Sequence, residues 1–551
     1  MNQKKAELSR RELLKSAGAL AIGLSLPPAA KAFAETTRKP MDIKEKITVK
    51  LYTIGEGGKP VPASKDILKN LYLLDKDYDP IKPMPEVESD GICTFTPPHG
   101  RFGFSTHLDI PDFGELWAYA DDGGAGFEAS RLGKTVNLND ALASSRLKKV
   151  ERNLISVKAE GCEFSDTVGD RISKARALLK KSRGAEDPAS AASLAMESLS
   201  HSMWAGEMVA LERARRKISK NGPRPGFLFG CNAYGCLRDG LPYTKAFYNI
   251  FNFGTLPFYW RHFERQEGKP DYENMDKMVE WCKNGNITSK GHPLVWICNA
   301  GIPEWFKYRT FDDLTARLKQ RIREVAGRYA GRIDIWDVIN EVTNEGNTLA
   351  KDFGLNDDQL DEITKMACEE TKAANPNATR IVNNVYMFGE NALPFNCGKP
   401  SGEWTRTVRQ FIEDILRKGT EFEAIGMQLY SPHRDMLELD LLLDRFARYK
   451  KAIHITEQGI SSNTQVDERS IVKFSGGRWH APWSETIQAD WAEQFWTIAY
   501  SKPAVTALTW WDFIDKGHFW PFGGFLREDK TPKESYWRLR ALIRGWRNPP
   551  M

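Results

Sequence analysis

Ile333-Asp-Ile-Trp-Asp-Val-Ile-Asn-Glu341 is an apolar, β-branched run that stops on a carboxylate, and Ile453-His-Ile-Thr-Glu457 repeats the pattern further along the chain. A strand buried on both faces reads as such a run, and in a (β/α)8 barrel the chemistry sits at the C-terminal ends of the strands. Carboxylates on two different strand ends are what cleavage of a glycosidic bond needs, one as proton donor and one as nucleophile or base. The plainer alternative for either glutamate alone is a strand-end charge paired with a neighbouring Arg or Lys.

Working outward, eight short apolar runs begin near Phe227, Phe247, Thr288, Ile333, Arg380, Glu423, Ala452 and Val505. Amphipathic, charge-rich stretches separate them, among them 313–329, 357–374, 404–418 and 485–500. Strand alternating with helix eight times predicts an α/β fold, a (β/α)8 TIM barrel over 225–545. Glu341 then closes strand 4 and Glu457 closes strand 7. The 116 residues from 341 to 457 span three βα units.

The 551 residues exceed one ordinary domain, so more than a barrel is expected. Residues 43–160 read as β-rich, with short strands expected at Ile47–Ile54, Gly91–Thr96, Phe102–Ile110 and Glu115–Tyr119 between Gly, Pro and Asp clusters. A small β-sandwich-like domain fits, either carbohydrate-binding or merely packed against the rest. The Gly-rich Asp121–Gly126 is a turn and not a phosphate cradle, since no Lys-Ser/Thr follows it. Residues 166–220 turn Ala-, Leu-, Lys- and Glu-rich and read as a helical connector, closed by the Asn221–Gly226 break.

Residues 1–34 resemble an export signal. Lys4, Lys5, Arg10 and Arg11 precede a modest apolar stretch, Ala17–Ala30, and a small-x-small site at Ala32-Phe-Ala34. Ser9-Arg-Arg-Glu-Leu-Leu-Lys15 resembles a twin-arginine signal, which implies a periplasmic or extracellular protein. The alternative is an ordinary secretory signal with two chance arginines. Six of the 78 Lys and Arg but only two of the 73 Asp and Glu lie in that segment, leaving 72 basic against 71 acidic residues. A nearly neutral remainder gives no electrostatic case for nucleic acid, and no later apolar run is long enough for a membrane anchor. No feature specifies an oligomer. The eight cysteines show no zinc-like spacing, and no obligatory disulfide framework is expected. No His/Asp/Glu cluster has metal-ligand spacing, and the chemistry calls for no cofactor.

Five ordered motifs resemble glycoside hydrolase family 10, the endo-β-1,4-xylanase family. They are Gly291-His-Pro-Leu-Val-Trp296 with Ile302-Pro-Glu-Trp-Phe306, then Trp336–Glu341, Gly426-Met-Gln428, Ile455-Thr-Glu457, and Leu508-Thr-Trp-Trp511 with Asp515. The resemblance implies a retaining double-displacement hydrolase with Glu341 as acid/base and Glu457 as nucleophile, acting on a polysaccharide. A negative Glu457 is then expected to raise the pKa of Glu341. Asn340 is expected on the sugar 2-hydroxyl, and Trp260, His292, Trp296, Gln428, Tyr430, Trp511 and Trp520 around the substrate. His292 serves equally as a brace. Trp510 reads as core, Glu345 as a loop charge, and Trp479 and Trp483 with Arg478 and His480 as lining for distal positions.

The departures are as informative. Where the family carries Glu-Asn-x-x-Lys-Trp on strand 2, this chain has Thr255-Leu-Pro-Phe-Tyr-Trp260, with Thr255, Leu256 and Tyr259 replacing the three polar residues. Ile297 stands for a His after the strand-3 Trp. Tyr430 stands for the strand-6 His, and Gly459 for an Asp two residues after the nucleophile. The last two look like one coordinated change, in which the Tyr430 hydroxyl reaches Glu457 instead. A site that loses hydroxyl-gripping groups changes its sugar preference, so a different β-linked pyranoside chain or a decorated one is expected as the best substrate, with xylan held in altered subsites as the alternative. A catalytically silent glycan-binding protein and a transglycosylase on the same site also fit the sequence.

Overall fold

The computed structural model describes residues 45–343, 348–393, 404–472, 477–515 and 519–548. Residues 1–34, where the export signal is expected, Glu345 and Cys397 lie outside them. Eight parallel strands, Leu228–Asn232, Phe253–Pro257, Thr288–His292, Ile335–Asn340, Thr379–Asn384, Ala424–Gln428, Ala452–Glu457 and Val505–Trp510, close into a barrel. We number these barrel strands 1 to 8. Strand 8 completes the ring by pairing with strand 1 at Gly230↔Thr509 and with strand 7 at Ile455↔Leu508. This is the expected TIM barrel, and a β-rich region precedes it.

Local signals set the helices. Phe311–Arg328 begins where Thr310 caps the Asp313 amide, and Asp357–Ala374 begins on a capping box between Asn356 and Gln359. Helices fill Asp357–Ala374 and Glu485–Tyr500 as the amphipathic pattern predicts, and Val408–Arg417 within 404–418. Strand 2 departs from expectation. Phe247 lies in the helix Gly240–Ile250, and the strand starts at Phe253. Tyr243, Phe247 and Ile250, all buried, are spaced i, i+4, i+7, so they form one helix face and not a strand.

Strands in the N-terminal part run from Ile47 to Asn137 in two main sheets. Ile47–Lys50 pairs with Ile92–Phe95 and Thr135–Asn137, while the hairpin Arg101–Ile110 and Gly114–Ala120 dominates the second sheet. Phe95 of the first sheet meets Phe102 and Phe104 of the second with ring centroids 5.6 and 5.3 Å apart. The β segment ends earlier than 160, because helix α1 (Leu138–Ala159) starts where Asn137 caps the Asp140 amide. Helices α2 (Asp166–Gly184) and α3 (Pro188–Asn221) follow. No helix among the described residues is long and apolar enough to cross a membrane. The seven described cysteines are buried and unbridged.

The β-domain, these helices and the barrel belong to one compact unit, Ile43–Met551. A buried charge network joins them. Arg146 of α1 donates to Asp435 at 2.6 Å, and Lys149 reaches Glu438 and Asp121, each at 2.7 Å. Asp435 caps the helix Met436–Ala447, which follows strand 6. From α3, Glu207 accepts from the Met436 amide at 2.9 Å. After strand 7, Arg478–Trp479 adds to the β-domain hairpin, pairing Trp479 with Gly114. Only glycine fits there, since a Cβ on Gly114 would stand 2.8 Å from the Arg478 carbonyl oxygen. The β-domain is therefore stitched to the loops that leave the ends of strands 6 and 7.

Candidate active site

Strands 4 to 7 end in polar side chains at one level of the barrel mouth: Asn340 and Glu341, Asn383, Gln428, and Glu457. Glu341 follows directly on strand 4 with a left-handed backbone (φ 54°), and its amide donates to the Asn383 carbonyl at 2.8 Å. A non-glycine residue at positive φ is held there by its surroundings at some cost, and such strain gathers at functional sites.

The two glutamates are joined through amides. Gln428 Nε2 donates to Glu341 Oε1 at 2.8 Å and lies 3.3 Å from Asn340 Oδ1. Asn383 Nδ2 donates to the same Asn340 oxygen at 2.8 Å and to Glu457 Oε1 at 3.3 Å. Thr456 fixes the Asn383 amide from behind, donating to its Oδ1 at 2.5 Å. The second oxygen of Glu457 accepts from the Tyr430 hydroxyl at 2.9 Å. Every carboxylate oxygen named here is held by an oriented donor, so neither glutamate is a loose strand-end charge.

Tyr430 and Gly459 fit together sterically. A Cβ on residue 459 would stand 3.2 Å from the Tyr430 ring and 2.5 Å from the Trp511 carbonyl oxygen. The Trp511 carbonyl is the nearer obstacle to a side chain at 459, and the Tyr430 ring crowds the same space.

Beneath the pair the barrel interior carries a buried chain of charge. Lys290 Nζ and His292 Nδ1 both approach Asp337 Oδ2 at 2.7 Å, and His292 Nε2 faces Glu457 Oε1 at 3.8 Å. Burial alone would raise the Asp337 pKa, but Lys290 and His292 outweigh it and hold the carboxyl below its ordinary value. Burial keeps His292 below its ordinary value despite Asp337, so the imidazole is neutral.

Burial, and then the charge of Glu341, push Glu457 up to about 8, with Lys290 and the Tyr430 hydroxyl pulling the other way. The structure places a raised value on Glu457, whose carboxyl is buried beside that of Glu341. Tyr430 lies well above its ordinary range through burial and then Glu457, and therefore stays a donor.

Of the remaining expected residues, Trp511 packs between His292 and Tyr234, at 5.5 and 5.3 Å between ring centroids. Trp520 stacks parallel on Tyr430 at 5.2 Å. Trp296 lies half-buried against Tyr259. Trp260 is not brought to the site. It is buried at the start of a short helix, donates to Glu264 at 2.8 Å, and packs on Trp305 and Phe306. Leu256 and Ile297 are buried as well. Trp479, Arg478 and His480 do not line distal positions. Trp479 and His480 approach Glu207, Arg478 pairs with Asp109, and together they form the seam with the β-domain, with Trp483 buried beside Trp479. Trp510 is core, its indole donating to the Gly523 carbonyl.

The sequence reading missed three groups. Asn383 is the link between the two halves of the amide chain, and the run Arg380-Ile-Val-Asn-Asn384, ending on two amides, was the available signal. Tyr234, whose hydroxyl donates to Tyr259 at 3.1 Å, follows strand 1. Asp512 follows strand 8, held by Asn232 at 2.6 Å, with burial pushing it up to about 6. No group of His, Cys, Asp and Glu among the described residues is arranged to hold a metal ion.

The arrangement matches known proteins. The profile of the family described as "Glycosyl hydrolase family 10" matches residues 257–536, from the end of strand 2 into the C-terminal helix. Endo-1,4-beta-xylanase B of Thermotoga neapolitana is 26% identical over 331 residues, 58% of this chain and 88% of that protein. Beta-1,4-xylanase of Dictyoglomus thermophilum is 26% identical over 288 residues, 49% of this chain and 75% of that protein. Among solved structures, xylanase 10B from Thermotoga petrophila RKU-1 in complex with xylobiose aligns at 22% identity and a TM-score of 0.46, covering 60% of this chain and 96% of that one.

Proposed function

The chain belongs to glycosyl hydrolase family 10, and we propose that it is an exported retaining endo-β-glycosidase that cleaves a xylan-type β-linked polysaccharide by double displacement. One observation carries this reading: two buried glutamates at the ends of strands 4 and 7, each oriented by fixed donors. Glu341, holding the proton, gives it to the leaving glycosidic oxygen while Glu457 attacks the anomeric carbon. The C–O bond to the leaving sugar breaks and a glycosyl ester to Glu457 forms. Glu341, now a base, takes a proton from water, whose oxygen displaces Glu457 and restores both carboxyls. A proton on Glu341 removes the like charge that adds to burial in pushing Glu457 up, and so favours the ionised nucleophile.

Xylan is the class named for the relatives at about a quarter identity. The mouth beside strands 1 to 3 supports a shift within that class. Tyr259, Tyr234, Trp296 and Trp511 meet there ring to ring, and Tyr259 stands where the family pattern has a polar side chain. Aromatic planes accept the C–H faces of sugars and substituents better than they discriminate among hydroxyls. The test is to incubate the protein with β-1,4- and β-1,3-linked xylans, glucans and mannans beside Glu457→Ala. Oligosaccharides released from xylan or substituted xylan, and absent with the variant, are expected. Wild-type protein that binds but releases nothing would turn the assignment to a silent glycan binder.

A further inference from the structure

The cavity over strands 5 and 6 has a wall that the barrel does not supply. Its volume is about 620 Å³, within the range of about 300–1,000 Å³ common for small-ligand sites. On the barrel side it is lined by Gln428 and Tyr430, the residues that donate to Glu341 and Glu457, so it lies beside the carboxylate pair. Trp520, stacked on Tyr430, lines it too. The opposite wall is His107 and Glu115 of the β-domain hairpin, with His433 beside them.

The hairpin is fixed in that position. The Trp117 amide donates to the His433 carbonyl at 3.1 Å, His433 Nδ1 lies 3.0 Å from the Glu115 carbonyl oxygen, and the His107 and His433 rings meet edge to face at 4.8 Å. Glu115 has no structural task to match this placement. Its side chain is 44% exposed, and among the described residues the nearest ionisable partner of its carboxylate is His107 Nδ1 at 3.7 Å. Burial, and then His433 and Arg434, hold His107 at about 3, so the ring is neutral.

We propose that the β-domain hairpin forms a distal subsite of the catalytic cleft, binding one neutral pyranose unit of the glycan chain through His107 and Glu115. The inference rests on the glycosidase reading above. A carboxylate accepting from sugar hydroxyls is a strong, directional contact, and the aromatic pair Tyr430 and Trp520 lies alongside for the ring face. A uronate would meet Glu115 as a like charge. The β-domain is thus part of the substrate site and not a detachable binding module.

The test is calorimetric binding of β-1,4-xylo-oligosaccharides of two to six units in the Glu457→Ala background, which removes turnover. His107→Ala and, separately, the isosteric Glu115→Gln are added to that background. Affinity for the longer oligosaccharides is expected to fall about tenfold, the worth of one or two hydrogen bonds, while that for the dimer falls far less. A uronate-bearing oligosaccharide gaining affinity in Glu115→Gln would support the like-charge argument. Equal affinities in the parent and both variants at every length would overturn the proposal, as would absence of binding at any length. Hydrolysis by the wild-type protein is read separately. A protein that hydrolyses but shows no hairpin dependence refutes the subsite alone, and one that binds with hairpin dependence but never hydrolyses refutes the glycosidase reading alone.

Discussion

The two halves of the barrel mouth are built from different physics. Over strands 4 to 7 the side chains are amides, carboxyls and a tyrosine hydroxyl joined by directed hydrogen bonds of 2.8–3.3 Å. Over strands 1, 2, 3 and 8 they are mostly rings in contact, Tyr234, Tyr259, Trp296 and Trp511. Bond cleavage needs charge placed to a fraction of an ångström, and the proposed mechanism assigns it to the hydrogen-bonded half. Holding a sugar tolerates more than one solution. Departures from the family pattern fall in both halves, Tyr430 and Gly459 in the first and Thr255, Leu256, Tyr259 and Ile297 in the second, while Trp296 and Trp511 are kept.

The sharpest way to break this comparison is to remove a carboxylate. Glu457→Ala is expected to lower kcat on any substrate by about 10⁴-fold or more, as removing a nucleophile does. Glu341→Ala should be comparably damaging on natural glycans and much milder on aryl glycosides, whose leaving group needs no proton. Steady-state kinetics on both substrate types checks this, and equal losses on both would deny Glu341 its acid role.

Next come the donors. Tyr430→Phe and Asn383→Ala each remove a hydrogen bond to a charged group, worth about 1.5–3 kcal/mol, so kcat/KM should fall roughly 10- to 100-fold. Gly459→Ala should fall in the same range although it removes nothing, because the new methyl must displace the Trp511 carbonyl or the Tyr430 ring. Tyr259→Phe, on the aromatic half, should cost less than about threefold in kcat and act mainly on KM, as loss of uniform binding does.

The titration of the pair gives a pH test. With Glu457 pushed up to about 8, kcat/KM should fall above that pH as the carboxyl pair loses its proton. Tyr430→Phe should move this limb upward, since the lost donor favoured the ionised form. Stability follows with a definite sign. A folded-state pKa above the ordinary 4.5 means the contribution is present below about 4.5 and is lost as pH rises toward about 8. Glu457→Gln lacks that loss, so its melting temperature should gain on wild type between pH 5 and pH 8.5. A constant gap would mean the Glu457 pKa is not raised.

Much of the polar half was legible in the sequence, because strand-end residues announce themselves as polar stops on β-branched runs. Glu341 and Glu457 were read that way, Asn340 and Gln428 through the family resemblance, and Asn383 carried the strand-end signal unread. The aromatic half was harder, since a tryptophan in a motif does not say which way it faces. Trp260 turned to Glu264 and the core, while its neighbour Tyr259 took the place at the site. Strand 2 was placed early because an aromatic helix face at Tyr243, Phe247 and Ile250 looks like a short apolar strand. The seam between β-domain and barrel was out of reach. Its partners, such as Arg146 and Asp435, lie 289 residues apart, and nothing local distinguishes a charge that will be buried. Removing one of them should expose the difference. Arg146→Ala leaves Asp435 and Glu438 buried without it, at a cost of about 3–5 kcal/mol, to be read as a lowered denaturant midpoint.

In the proposed mechanism Glu457 attacks the sugar, and Glu341 and Glu457 act in two displacements. The most direct measurement is proton NMR of the anomeric signals during the first minutes of hydrolysis of a β-linked xylo-oligosaccharide. The β-anomer should appear first and the α-anomer only later, by mutarotation. Initial release of the α-anomer would mean a single displacement by water, and would contradict the assignment of Glu457 as nucleophile.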